Sequence, residues 1–336
     1  MSAIPPIPVV FQPIFKPKPW GGRELATLFG KELPDDDPIG ESWEVADLPD
    51  SESQVAGGPL AGRRLDELVK MWGPGLLGDA ELVSGRFPLL IKFLDARQRL
   101  SIQVHPHAPR DSSEPEPPDV KREAWYIVAA APQAELYIGL KPEVGPEDVR
   151  AAGTTAALVD LLHRRPAQPG RCYYLPAGVP HAMGMGLVVA EVQTPSDITY
   201  RLYDWNRMGL DGRPRSLHLE QALANIDYAV PEAQIVQRRT HVADLLLTVT
   251  RLVRCQRFSI DKLRFSEGYV RELPDREMRV WIMLSGEGRL VCEPYQCELK
   301  PGDVAVIPAD SAETRVETVA DCELLEVKLP GRSAPP

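Results

Sequence analysis

One pattern occurs twice in this chain and constrains its fold more than any other. A glycine, five residues and then Pro-Ala appear in GRCYYLPAG (170–178) and again in GDVAVIPAD (302–310). In each copy a short strand-like run ends at a proline, which cannot donate to a β-ladder. Two such units so far apart imply two copies of one β-barrel. The 34 prolines and 25 glycines are spread along the 336 residues, so the chain is cut into short segments. That favours many strands and tight turns over long helices, and the length suffices for two domains.

The local patterns agree. FPLLIKFLD, from Phe87, is apolar on both faces except for Lys92, as expected of a strand buried on both sides. After a turn, Leu100, Ile102 and Val104 alternate with Ser101, Gln103 and His105, which puts the three polar residues on one strand face. Pro106 should stop regular pairing. His107 then reads either as the next member of the polar series or as a loop histidine. Residues 108–120 are proline-rich and acidic and read as a loop, and KREAWYIVAA follows as a strand with Lys121, Glu123 and Trp125 on one face. The spacing of Val149, Leu158, Leu161 and Leu162 in PEDVRAAGTTAALVDLLHRR predicts an amphipathic helical insert, and SLHLEQALANID a short helix. Strand patterns return in RCYYLPAG, VVAEVQ and ITYRLYDW, and again from about residue 240 nearly to the end.

A formal net charge of −10 argues against a nucleic acid or an anionic membrane as partner, since both reward basic patches. An anionic small molecule requires only a few converging Lys and Arg side chains. Five scattered cysteines without C-x-x-C indicate neither a disulfide framework nor a structural zinc knot. No apolar run approaches the roughly 18–20 residues of a spanning helix, and the start MSAIPPIPVVFQPIF lacks a basic leader. A cytoplasmic location is expected. No G-x-G-x-x-G or P-loop pattern suggests a nucleotide. The sequence sets no oligomeric state, and a monomer is compatible with it.

The first copy of the repeat extends to His181, as G-x5-P-x-G-x2-H with every fixed position filled; the second has Asp310 in place of the glycine and Glu313 in place of the histidine. The complete version resembles the second motif of the cupin barrels, whose terminal histidine is a metal ligand. The expected fold is therefore mainly β: two cupin-type jelly-roll barrels with short helical insertions. The expected division is a metal-binding domain at 1–235 and a barrel without ligands at 236–336.

LSIQVHP, the K-x-E of KREAWYI, PAGVPHA and EVQTPSDITYRLYDWNR, with WGG at 20–22 and ESWEVAD at 41–47, resemble the type I mannose-6-phosphate isomerases, particularly the short bacterial form. The similarity covers essentially the whole chain. It implies interconversion of mannose 6-phosphate and fructose 6-phosphate through an enediol, with Zn²⁺ held by Gln103, His105, Glu123 and His181. Two imidazoles, a carboxylate and an amide oxygen suit zinc and leave a position open. Lys92, Lys121 and Arg201 stand where that family has functional cations, Glu191 matches a carboxylate expected to transfer or orient a proton, and Ser101 a residue near the substrate phosphate. The expected roles are thus catalysis for Arg201, Lys121 and Glu191, and substrate binding for Lys92 and Ser101. Taken alone, Arg201 reads equally as a surface arginine and Lys92 as a stem along the surface with its head in water. Departures from the family are the acidic insertion SSEPEPPDV, Arg122 between Lys121 and Glu123, and the absence of the longer enzymes' helical domain. Two other classes fit the ligand motifs: an iron-dependent cupin oxygenase and a non-catalytic sugar-phosphate-binding cupin.

Overall fold

The structure, a computed structural model, describes residues 4–34, 37–107, 117, 120–311 and 313–330. Most of the acidic insertion lies outside the described residues. The chain forms four stacked antiparallel layers. In order across a six-stranded sheet run Cys172–Leu175, Glu123–Ala130, Leu187–Gln193, Leu90–Ala96, Ile39–Val45 and Ile14–Gly22. Over it lies a five-stranded sheet of Leu162–Pro166, Glu135–Leu140, His181–Met183, Ile102–Val104 and Tyr200–Tyr203. Leu94, Trp125, Ile127 and Val189 of the first sheet pack against Leu136, Ile138 and Met183 of the second, closing one barrel.

The carboxy-terminal barrel repeats the arrangement. Its larger sheet runs Val9–Val10, Val304–Ile307, Arg279–Ser285, Cys322–Lys328, Ser259–Phe265, Leu247–Arg254 and Thr240–Ala243, and its smaller sheet has four strands. The first of these strands comes from the chain's amino-terminal end: Val9 pairs with Val306 and Val10 with Ala305. The two large sheets pack back to back through Ile91, Phe93, Tyr126 and Val188 on one side and Val280, Ile282, Leu325 and Val327 on the other. Strand alternation follows from this sandwich. Ile91 and Phe93 face the joint core while Lys92 and Leu94 face the barrel interior, which is why FPLLIKFLD carries apolar residues on both faces.

The insert expected to be helical at 146–165 is only partly so. Pro146–Ala152 and Leu158–Leu161 are helices, but Leu162–Pro166 is an edge strand paired with Glu135–Leu140. The helical spacing that includes Leu162 is therefore overridden by a free sheet edge; a short apolar run does not distinguish the two by periodicity. Val149, Leu158, Ala222 and Ile226 cover the outer face of the five-stranded sheet. The turn before His181 needs its glycine. Gly178 has φ +83°, and a Cβ there would lie 2.9 Å from Asp227 Cβ and 3.0 Å from the Asn225 carbonyl oxygen, a backbone region in which other residues are strained.

Candidate metal centre

Strand register brings the site together. His181 opens a three-residue strand and sits opposite Gln103, which on its other side sits opposite Arg201. Glu123 opens the next strand of the facing sheet, opposite Gln193. His105 lies just past Ile102–Val104, and the Pro106 carbonyl accepts the Lys121 N–H at 3.2 Å. His105, Glu123 and His181 are all buried, with their ligand atoms within 4.8 Å of one another.

The hydrogen bonds orient both imidazoles. His105 Nδ1 is 2.9 Å from the Ile198 carbonyl and His181 Nδ1 is 2.8 Å from that of Val179. A carbonyl only accepts, so each Nδ1 carries the proton and each Nε2 turns a lone pair inward. Those Nε2 atoms lie 3.3 Å from the two oxygens of Glu123, one from each. Burial and the nearby Lys121 ammonium push His105 down to about 3, and burial lowers His181. Burial acts to raise Glu123, but Lys121 and the two histidines outweigh it and hold the carboxyl well below the ordinary range. Neutral imidazoles and an ionised carboxylate are the protonation states a metal requires.

The donor set fits a divalent ion. His105 Nε2 and Glu123 Oε1 are buried without a hydrogen-bond donor, and Glu123 Oε2 meets the Lys121 ammonium. Such orphaned atoms cost about 1–3 kcal/mol each when left unpaired. Separations of 3.3 Å between ligand atoms suit donors at about 2 Å from one zinc ion. Gln103 stands at the edge: its Nε2 is 3.3 Å from His181 Nε2, and its Oε1 accepts from the Ser101 hydroxyl at 3.0 Å. Rotating the amide presents its oxygen to the centre. His107 does not join the cluster; its N–H donates to Asn225 Oδ1 at 3.3 Å.

A cleft of about 230 Å³ opens over the triad, room for on the order of eight waters. Its walls carry alternating charge. Lys121 Nζ lies 3.1 Å from Glu123. Lys92 Nζ lies 3.1 Å from Glu191 and 3.7 Å from Glu41, so this buried lysine is held charged by two carboxylates. The partners differ. Burial acts to raise both acids; in Glu41 the ammonium groups of Lys92 and Lys18 and the Trp43 indole N–H win, bringing it to about 2, whereas in Glu191 burial wins and raises it. Glu191 Oε2 accepts the Trp125 indole N–H at 2.9 Å, while its Oε1 faces the Lys92 ammonium. Arg201 lies at the mouth, with Nε donating to Ser101 Oγ at 3.2 Å.

All seven expected side chains other than His105 and His181 therefore fall on the walls of this one cleft, with the two histidines beside it. Sequence reasoning missed Glu41, Lys18, Arg215 and Asp197, which also line it. A signal existed for Glu41, because ESWEV places two acids in an otherwise strand-like run. Arg215 follows a Gly-Arg-Pro turn and carried none.

The phosphomannose isomerase type I catalytic domain matches residues 9–116. The mannose-6-phosphate isomerase ManA of Bacillus subtilis is 34% identical over 316 residues, covering 94% of this chain and 97% of that protein. The enzyme of that name from Streptococcus mutans is 33% identical, over 90% and 92%. The crystal structure of the Bacillus subtilis mannose 6-phosphate isomerase superposes with a TM-score of 0.83 at 30% identity, covering 96% of this chain and 99% of that one. Among the described residues no helix is long and apolar enough to cross a membrane. With a His–Glu–His centre in a cupin barrel and full-length similarity to these enzymes, the chain belongs to the type I phosphomannose isomerase family.

Proposed function

We propose that this protein is a cytoplasmic, zinc-dependent aldose–ketose isomerase that interconverts mannose 6-phosphate and fructose 6-phosphate through an enediol. The observation that carries the reading is the set of orphaned atoms on His105 and Glu123, facing a cleft whose mouth is lined by Arg201 and Arg215. His105, Glu123 and His181 would hold the ion, with Gln103 as a weaker fourth ligand through its amide oxygen. When bound, zinc supplies a Lewis acid that polarises substrate oxygens.

The remaining chemistry belongs to the chain. Arg201 and Arg215 bind the phosphate, Arg201 by the planar fork suited to it, and the Ser101 hydroxyl adds a contact beside Arg201. Glu191 Oε1 takes the proton from C2 of the open-chain aldose and returns it to C1, while a proton passes from O2 to O1. Burial raises this carboxyl toward the range where a group both takes and gives a proton. Lys92 holds Glu191 in place at the substrate end, and the Lys121 ammonium stabilises the oxyanion that develops on the enediol. The metal-binding barrel is assigned to residues 1–235, apart from the Val9–Val10 strand, which joins the larger sheet of the barrel without ligands at 236–336.

Zinc content and mannose 6-phosphate isomerase activity, measured on one purified sample before and after chelation, test the reading. Activity should fall with zinc and return on readdition. Full turnover by metal-free enzyme would remove zinc from the mechanism, and oxygen consumption with iron bound would favour the oxygenase.

A further inference from the structure

The turn after Tyr200–Tyr203 adopts a backbone that its sequence resists. Trp205 and Asn206 are consecutive and both left-handed, with φ +57° and +55°. Asparagine tolerates this region, but a bulky residue there is an outlier costing about 1–3 kcal/mol. Strain of this kind persists only where surrounding contacts over-determine it, and here they do. The Trp205 indole N–H donates to the Leu100 carbonyl at 2.7 Å, and Arg207 Nη1 to the Arg99 carbonyl at 2.7 Å. The Arg99 guanidinium lies 4.8 Å above the Trp205 ring. The turn is thus fastened to the segment that leads directly into Ser101 and Gln103.

Asp204 sits at the centre of the turn and is 5% exposed. It accepts from Arg207 Nη2 and Arg215 Nε, each at 2.7 Å, and also from Arg215 Nη2. One carboxylate therefore gathers two guanidinium groups, while a third, Arg201, lies close enough for Arg215 to act on its charge. Arg201 and Arg215 line the cleft and Arg207 does not. Three positive charges against one negative leave a surplus suited to a dianion.

We propose that Asp204 is a positioning residue that presets Arg215 as the second anion-binding arm, so that the strained turn sets the affinity of the cleft for phosphate. The choice of a phosphate ester as ligand rests on the isomerase reading above, but the anion site itself does not. A free arginine side chain gives up about 2 kcal/mol of rotamer entropy when immobilised, and Asp204 has imposed that order before the ligand arrives. Its negative charge opposes an incoming anion, but the two guanidinium groups bound to it more than offset that charge.

A double-mutant cycle tests the coupling. The holoenzyme, Asp204→Asn, Arg215→Gln and the double variant are titrated with inorganic phosphate, both as an inhibitor of turnover and by thermal stabilisation. Asp204→Asn is expected to weaken phosphate about tenfold with metal content unchanged and kcat within about twofold. In the Arg215→Gln background the same change should cost nothing further. Additive effects, or phosphate bound by Asp204→Asn as tightly as by wild type, would overturn the proposal. If Asp204→Asn does not fold, Trp205→Phe removes the bond to Leu100 and keeps an aromatic ring beneath Arg99; a phosphate affinity reduced about threefold supports the proposal, and an unchanged one refutes it. Wild-type protein that binds phosphate but does not isomerise mannose 6-phosphate breaks the functional reading and leaves this inference standing.

Discussion

The two barrels share a scaffold and differ in which cation balances it. In the first, Trp125 pairs in register with Glu191 and donates its indole N–H to that carboxylate at 2.9 Å. In the second, Trp281 pairs with Glu326 and does the same at 2.9 Å. Moving along the equivalent strands, Lys92 opposite Glu191 corresponds to Asp261 opposite Glu326. Two residues before each tryptophan, Glu123 is replaced by Arg279, and two before that Lys121 is replaced by Glu277. The charges are inverted. Where Glu123 keeps Oε1 without a donor and pairs Oε2 with Lys121, the buried Arg279 donates to the carbonyls of Pro274 and Glu277 at 2.7 and 2.9 Å and to Glu277 Oε2 at 2.7 Å, and lies 3.4 Å from Glu326. Glu313, at the place of His181, is exposed. A fixed guanidinium thus satisfies in one barrel what an exchangeable ion is proposed to satisfy in the other.

The largest expected contrast comes from removing each member of that inverted pair. Glu123→Ala should bring bound metal close to zero and lower turnover by at least about 10³-fold, the scale on which an electrostatic stabiliser acts. Metal analysis and steady-state assays decide it; a variant that keeps stoichiometric metal would exclude Glu123 as a ligand. Arg279→Ala should leave metal content and kcat per folded molecule unchanged and lower the unfolding free energy by about 1–3 kcal/mol, because it removes a buried guanidinium's hydrogen bonds and leaves Glu326 and Glu277 with Lys328 at 3.4 and 3.6 Å as their cation. Urea unfolding measures this, and a loss of metal from Arg279→Ala would undo the division of labour between barrels.

What the sequence disclosed follows the same line between repeated and unique features. The recurrence of G-x5-P-A and the alternation of Ser101, Gln103 and His105 are local patterns, so the duplicated barrel and the polar strand face were legible, whereas the register that carries Gln103 beside His181 was not. Single charges in apolar runs pointed to Lys92 and Glu191, because a buried charge demands a partner. The strand that Val9–Val10 adds to the carboxy-terminal barrel's larger sheet was not legible, since nothing local says that an amino-terminal strand pairs almost three hundred residues away. Asp204 and Arg215 escaped for another reason. They meet only because Trp205 and Asn206 turn left-handed, against the propensity on which sequence reading depends.

Charge networks should separate the barrels by pH. Glu41 belongs to the first barrel and falls from 4.5 to about 2 on folding. A carboxyl lowered by folding stabilises above its unfolded value and loses that contribution as pH falls from 4.5 toward 2. A shift of this size corresponds to roughly 3 kcal/mol. Glu41→Gln should forgo this at neutral pH and show a flatter decline of stability over the acid range. Urea midpoints measured from pH 7 to 3 provide the comparison; parallel curves for variant and wild type would show that Lys92 and Lys18 do not hold Glu41 ionised.

The finest test uses a contact the barrels share. Trp281→Phe and Trp125→Phe each remove an indole N–H from a buried carboxylate while keeping an aromatic ring, so each should cost about 1–3 kcal/mol of stability. Function should split them. Glu326 retains Arg279 at 3.4 Å and has no reacting neighbour, so Trp281→Phe should leave kcat as it was. Glu191 retains Lys92 at 3.1 Å, but losing the bond to Oε2 frees the carboxylate to rotate Oε1 away from the cleft, and kcat should fall about tenfold with metal retained. Equal stability losses with unequal activity would establish that the brace is structural in both barrels and has been recruited to catalysis in one. Equal activity in the two variants would return Glu191 to a purely structural part and take proton transfer away from it.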